Sequence, residues 1–207
     1  MKKYRKYFVA SVKQNFPEQS YRIIDITDKN YKIIANDTGF AASSKNPIDK
    51  RLDFCAYFLA LIKTLDGLGK SYETIRSVCL EIVIEYVRPK NIFQLWIKKL
   101  PVQLINSPLA TLLLKKFNAR VSKNKNPAGF IANIITDKRE TFGLGYGVDI
   151  IECGICKLFN KHHFQEYSSI LCEVDAITSE FAGLNLIRKG TIALGADKCD
   201  FRWEKKV

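Results

Sequence analysis

The residue types most able to do chemistry fall between Gly145 and Trp203: Cys153, Cys156, Cys172, Asp175 and the triplet Cys199-Asp200-Phe201. A thiolate is a nucleophile or a metal ligand, and a carboxylate moves protons or shares in metal binding. Cys153 follows a strand-like run ending at Ile151 and precedes a helical turn. Unpaired N–H groups at a helix start stabilise a thiolate, which makes Cys153 a candidate nucleophile or ligand. Cys156, one turn on, completes a single C-x-x-C and could serve as its redox partner. No second such pair exists, so a zinc ribbon or finger is unsupported.

Gln165–Phe181 reads as a helix. At about 100° per residue, Ile170, Val174, Ile177 and Phe181 share one face, and Ser168, Cys172, Asp175 and Ser179 share the opposite one. The apolar stripe is expected to lie on the sheet. The second face holds a thiol and small hydroxyls where water would favour Lys and Glu. It is therefore expected to be covered by the basic helices of residues 1–129. A covered thiol and carboxylate one turn apart suit a small-molecule site. The competing reading is a packed thiol beside an aspartate that bonds backbone or a lysine. Along the last strand, Cys199, Phe201 and Trp203 alternate with Asp200, Arg202 and Glu204, so Cys199 points inward. Cys172, Asp175 and Cys153 are the catalytic candidates. Cys199, Asp200, Ser168 and Arg202 are the substrate-binding ones, with Arg188, Lys198 or Arg202 as the cation for a substrate carboxylate. His162 and His163, the only histidines, lie in a polar link and pair with a thiol only if that link folds over the site. Zinc accepts thiolate and carboxylate, so Cys153, Cys172, Asp175 and Cys199 could hold it; their spacing neither requires nor excludes it. Gly143-Leu144-Gly145-Tyr146-Gly147 lacks the Lys-Ser/Thr that a phosphate loop needs.

The elements that must position these residues begin with a short amphipathic helix over 2–16. Tyr21–Ile26 and Tyr31–Ile34 read as short β-like runs about Asp28-Lys29-Asn30, a hairpin. Asp37–Pro47 is a loop. Asp49–Asp66 is a helix stopped at Gly67 and Gly69, and Ser71 caps a second helix that Pro89 ends. Asn91–Ser122 alternates bulky apolar residues with Lys pairs, and Pro101 and Pro108 kink or divide it. The favoured reading is a bent helix packed on the C-terminal part or on a second subunit, which allows a homo-oligomer. The competing one is membrane-surface contact through 91–122. Phe130–Thr136 and Leu144–Ile151 form a hairpin, 154–160 a short helix, Leu184–Arg188 with Thr191–Leu194 one strand interrupted at Lys189-Gly190, and Lys198–Glu204 the last strand. The order β-β-α-α-β-β predicts an α+β fold: a helical part, 1–129, packed as one compact unit on a C-terminal antiparallel sheet domain, 130–207, that carries the site.

With 207 residues, 47% of them hydrophobic, the chain can build a core without disulfide staples. The six cysteines are expected as thiols, with Cys55 and Cys79 in apolar helical patterns as core residues. No apolar run approaches the roughly 20 residues that span a bilayer, and the stretch after the basic N-terminus is too short for a signal peptide, so a cytoplasmic location is expected. The net charge of +12 is uneven: residues 1–129 carry +13 and residues 130–207 carry −1. A lysine-rich helical surface accounts for this, and no nucleic acid partner is expected.

At these residues the chain resembles the L-2-amino-thiazoline-4-carboxylic acid hydrolase family. The likeness covers about residues 50–204 and is strongest from 142 onward. It rests on Cys153 after a strand, on L-C-E-V-D with Cys172 and Asp175, and on the ending G-T-I-A-L-G-A-D-K-C-D-F-R-W with Gly190, Thr191, Gly195, Asp197, Cys199, Asp200 and Phe201. The Cys-Asp-Phe ending also resembles small-molecule-binding domains related to 4-vinyl reductase. Gly154 stands where the family suggests Pro, and Cys156 is an addition. The resemblance implies a hydrolase acting on a C–N bond of a cyclic amidine: water adds at the C=N carbon, the ring C–S bond opens, and an N-carbamoyl-cysteine results. The alternative is a non-catalytic module that binds a small molecule or a metal.

Overall fold

The computed structural model describes residues 3–105 and 107–206. The first half is helical, with α1 (Arg5–Asn15), α2 (Ser20–Thr38), α3 (Arg51–Gly67), α4 (Tyr72–Val87), α5 (Ile92–Leu104) and α6 (Pro108–Lys123). There follow β1 (Ile131–Ile135), β2 (Gly147–Glu152), α7 (Gly154–Lys161), α8 (Ser168–Phe181), β3 (Leu184–Ile187) and β4 (Cys199–Lys205). The α+β class and the β-β-α-α-β-β order are as expected.

Helix α3 is buried almost all round, from Leu52 to Leu65, which makes it the hub of the helical part. Helices α2, α4 and α7 pack on it, and α8 packs on α4. Their core joins Phe8, Ile23, Phe58 and Ile82 to Phe159, Ile170 and Leu171, so elements on both sides of residue 130 share it. Ser71 caps α4 as expected, accepting the Thr74 N–H at 3.3 Å.

The hairpin expected over 21–34 is not found; these residues lie within α2. Ile-Ile pairs in short windows resemble β runs. The helical stripe emerges only over the full length, where Ile23, Thr27, Ile34 and Thr38 are buried at intervals of whole helical turns. Asp28, at the expected turn, pairs with Arg5 and accepts the Tyr57 hydroxyl, and Asn30 donates to Thr64 Oγ1 at 3.0 Å.

The strands pair antiparallel in the order β1-β2-β4-β3. Ala132 faces Ile150, Ile134 faces Val148, Val148 faces Phe201, and Ile150 faces Cys199. These alternate residues form one buried face with Leu52 and Val121. On the other face, buried Asp149 is paired with Lys198 at 2.6 Å and Arg202 at 2.8 Å. The strand expected over 191–194 is instead a 3-10 turn, Ile192–Leu194. Asp200 accepts the N–H groups of Lys189 and Gly190, both at 3.0 Å, which pulls the chain out of the sheet. The turn then closes through Gly195 at φ +89°.

The proline-bearing segment divides into α5 and α6, with Pro101 inside the first and Pro108 opening the second. Helix α6 packs on β1 and adds Phe117 and Val121 to the sheet core. Helix α5 approaches α8 but leaves Ile92, Phe93, Trp96 and Ile97 exposed, so only part of this segment is packed on the C-terminal part. Among the described residues, no helix is long and apolar enough to cross a membrane.

One buried clasp ties the loop before α3 to the sheet. Asp49 accepts the Phe130 N–H at 2.9 Å and the Ser44 hydroxyl at 2.6 Å, while Asn46 Nδ2 donates to the Phe130 carbonyl at 3.0 Å. A Cβ on Gly129 would stand 2.6 Å from Asp49 Oδ1, so the glycine is needed for this approach. Asp49→Ala orphans a buried N–H and is expected to lower stability by about 1–3 kcal/mol. Urea unfolding checks this; a change below about 0.5 kcal/mol, the size of a surface substitution, would contradict the clasp.

Candidate functional site

A cavity of about 430 Å³ lies between α8 and the buried face of the sheet. Helix α8 contributes Ser168, Cys172, Asp175, Thr178 and Ser179, with Ala182 capping its end; the sheet contributes Val148, Ile150, Cys199, Phe201 and Trp203. The two faces of α8 are thus exchanged relative to expectation. Ile170 packs into the helical core, with Val174 against it, and the small polar stripe faces the sheet. The larger apolar surface to be matched belongs to the helices around α3. Small side chains opposite the sheet leave the space open.

Five expected site residues meet in this cavity: Cys153, Ser168, Cys172, Asp175 and Cys199. Asp200 and Arg202 do not. Strand alternation turns them to the other face, where Asp200 holds backbone N–H groups and Arg202 binds Asp149 and the Glu140 carbonyl. Lys198 is likewise committed to Asp149. His162 pairs with Asp37 at 2.9 Å, and neither histidine lines the cavity.

Asp175 sits between two arginines. Arg188 Nη1 donates to Asp175 Oδ2 at 3.1 Å, and Nη2 donates to the Cys172 carbonyl at 3.0 Å. The Arg188 guanidinium also lies over the Phe201 ring, 5.0 Å from its centroid. Arg51, the first residue of α3, brings Nη1 to 3.6 Å from Asp175 Oδ1. Burial raises the Asp175 carboxyl above its ordinary range, although both arginines oppose the shift. The Arg51 side chain is 60% exposed while that of Asp175 is 17% exposed, so Arg51 keeps a charge available at the cavity wall. Sequence reasoning did not find Arg51. Nothing in its neighbourhood set it apart from the other cations of the first 129 residues.

The four thiols of the cavity are not equivalent. Burial pushes Cys172 up to about 12, with Asp175 adding to the effect. Burial also raises Cys199, whose Sγ accepts the Ile192 N–H at 3.2 Å. Cys153 is the cap residue of α7 and Cys156 lies in its first turn. The mutual influence of the two neighbouring thiols raises Cys153 and lowers Cys156, while the backbone N–H groups of the first turn oppose the rise at Cys153. The first proton therefore leaves this pair more easily than an isolated buried thiol, and the second leaves less easily. The strand running into C-x-x-C at a helix start is as the sequence placed it, with β2 leading through Cys153 into α7.

The zinc set does not assemble: among the described residues, no three His, Cys, Asp or Glu side chains come together in a way that could hold a metal ion. The remaining groups can offer a thiolate, a buried carboxylate and a cation.

The family model described as L-2-amino-thiazoline-4-carboxylic acid hydrolase matches residues 103–203, which supports the resemblance read from the sequence over that part of the chain. The matched segment contains every cavity thiol and Asp175; Arg51 and the wall formed by Pro47 and Ile48 lie outside it. Neither the curated proteins nor the solved structures include a match to the chain.

The unequal thiols give a direct test. Iodoacetamide is expected to label the peptide holding Cys153 and Cys156 first, ahead of buried Cys55 and Cys79, with a pH midpoint below the ordinary thiol value. Cys153→Ala removes the thiol that lowers Cys156 and should move that midpoint up. Equal labelling of all six cysteines in the folded protein, or a midpoint that does not move, would contradict the pairing.

Proposed function

We propose that the chain is a hydrolase that opens a thiazoline or related cyclic amidine by attack at the C=N carbon, with the thiolate of the Cys153–Cys156 pair as nucleophile. The observation that carries this reading is the meeting, in one cavity, of an ionisable thiol pair, a buried carboxylate and an available cation. An aminothiazoline is an amidine, and its protonated form is an electrophile that pairs with a carboxylate. Asp175 supplies that carboxylate and orients the ring nitrogen atoms.

The thiolate sulfur forms a bond to the amidine carbon. The ring C–S bond then breaks, and the ring sulfur leaves as a thiolate that takes up a proton. Water adds to the same carbon, Asp175 accepts its proton, and the enzyme sulfur departs as thiolate. The net change is the addition of one water, giving an N-carbamoyl-cysteine-type product. A carboxylate raised by burial is the stronger base for the hydration step. Cys172, held protonated by burial, forms part of the wall and is not the attacking group in this scheme. Activity depends on the ionised forms of the thiol pair and Asp175, so it should fall as pH is lowered.

Steady-state hydrolysis of 2-aminothiazoline carboxylates tests the assignment. The double variant Cys153→Ser, Cys156→Ser should fall to background, and Asp175→Asn should lose about 100-fold or more in kcat. Cys172→Ser should keep more than a tenth of the activity. Loss in Cys172→Ser together with retention in the double variant would overturn the scheme. Tight binding of the compounds without any turnover would favour the binding-module alternative.

A further inference from the structure

The cavity is larger and more apolar than a bare thiazoline carboxylate requires. A cavity of about 150 Å³ accommodates a benzene ring. Against that scale, 430 Å³ leaves room for a second group of about the same size after the reactive ring and its carboxylate are seated. The space has a direction, because it runs along α8. Ser168, beside the thiol pair, and Ala182 are separated by fourteen residues, about 20 Å of helix. Asp175 and Arg51 lie between these ends.

The far end offers almost no polar partner. The Thr178 hydroxyl donates to the carbonyls of Val174 and Asp175, at 3.1 and 3.0 Å, and the Ser179 hydroxyl donates to the Asp175 carbonyl at 2.7 Å. Ser179 also accepts Trp203 Nε1–H at 2.8 Å, which fixes the indole. Tyr146 stacks on Trp203, with centroids 5.3 Å apart and planes 10° from parallel. Leu184 and Ala182 complete this end. The flat faces of Trp203, whose Nε1–H is already satisfied, and of Tyr146 stacked on it select an apolar group. The charge balance selects the other feature of the ligand: one carboxylate, Asp175, stands against two guanidinium groups, of which Arg51 is the more accessible.

Resting on the ring-opening reading above, we infer that the substrate of this chain is an amphiphilic carboxylate: a cyclic amidine whose carboxylate binds Arg51 and which carries, in addition, an apolar substituent of phenyl size or a short acyl chain between Trp203, Tyr146, Ala182 and Leu184.

A substrate series tests this. Kinetics with 2-aminothiazoline carboxylates bearing hydrogen, methyl or phenyl on the ring should show kcat/KM rising at least tenfold from hydrogen to phenyl. Ala182→Phe should reverse that order, and Arg51→Met should raise KM at least tenfold for every member. The ratio between substrates is the readout, so a variant that folds less well remains informative. The same series is also titrated against Trp203 fluorescence in a Trp96→Phe background. If no compound is hydrolysed but the phenyl member binds at least tenfold tighter than the parent, the hydrolase reading fails and the size preference stands. Equal kcat/KM and equal affinity across the series, or a preference unaffected by Ala182→Phe, would overturn the inference.

Discussion

The carboxylate of Asp175 is the group around which the cavity is organised. A charge in such surroundings is tolerated only with partners, because an unpaired buried ion costs several kcal/mol. The carboxylate and its two partners come from three places: Arg51 starts the central helix of the helical part, Arg188 follows β3, and Asp175 itself lies on α8. Satisfying one charge therefore fixes a helix start, a strand end and the middle of another helix relative to one another. Arg188 extends this through its bond to the Cys172 carbonyl and its stacking on Phe201. The clasp of Asn46 and Asp49 on Phe130 does the same for the loop that delivers Arg51.

Within that frame the protein distinguishes chemically identical side chains by environment alone. Cys172 and Cys199 are thiols kept protonated by desolvation. Cys153 and Cys156 are equally thiols, but they sit at a helix start and shift one another in opposite directions, Cys156 downward. Backbone N–H groups and a neighbouring S–H stabilise a thiolate there, at low cost in organisation. The family match covers the thiols and Asp175, while the wall that carries Arg51 comes from the helical part outside it. In the proposed scheme, chemistry and recognition come from different stretches of the chain.

Much of this was legible in the residues, for identifiable reasons. The alternation of Cys199, Phe201 and Trp203 with polar residues placed Cys199 inward, and period-2 runs located the sheet. The grouping of Ser168, Cys172, Asp175 and Ser179 on one helical face was also correct. What covers that face was not legible, because periodicity gives the angle of a stripe and not the identity of its neighbour. The hairpin misread within α2 has a related cause: β-branched pairs mimic strands in short windows, and the burial that decides the matter comes from α3, far along the chain. Asp200 looked like a site residue beside Cys199, but pleating sends adjacent side chains to opposite faces. Arg51 was invisible because its role depends on a tertiary approach to Asp175.

The most direct measurement for the covalent route is mass spectrometry of protein quenched in acid during turnover of a 2-aminothiazoline carboxylate, followed by peptide mapping. Addition of the thiolate to the amidine carbon retains the whole substrate. The account predicts a gain of the full substrate mass on the peptide that holds Cys153 and Cys156. Active turnover with that peptide unmodified and the adduct on the Cys172 peptide, or with no adduct on any cysteine at any quench time, would contradict it.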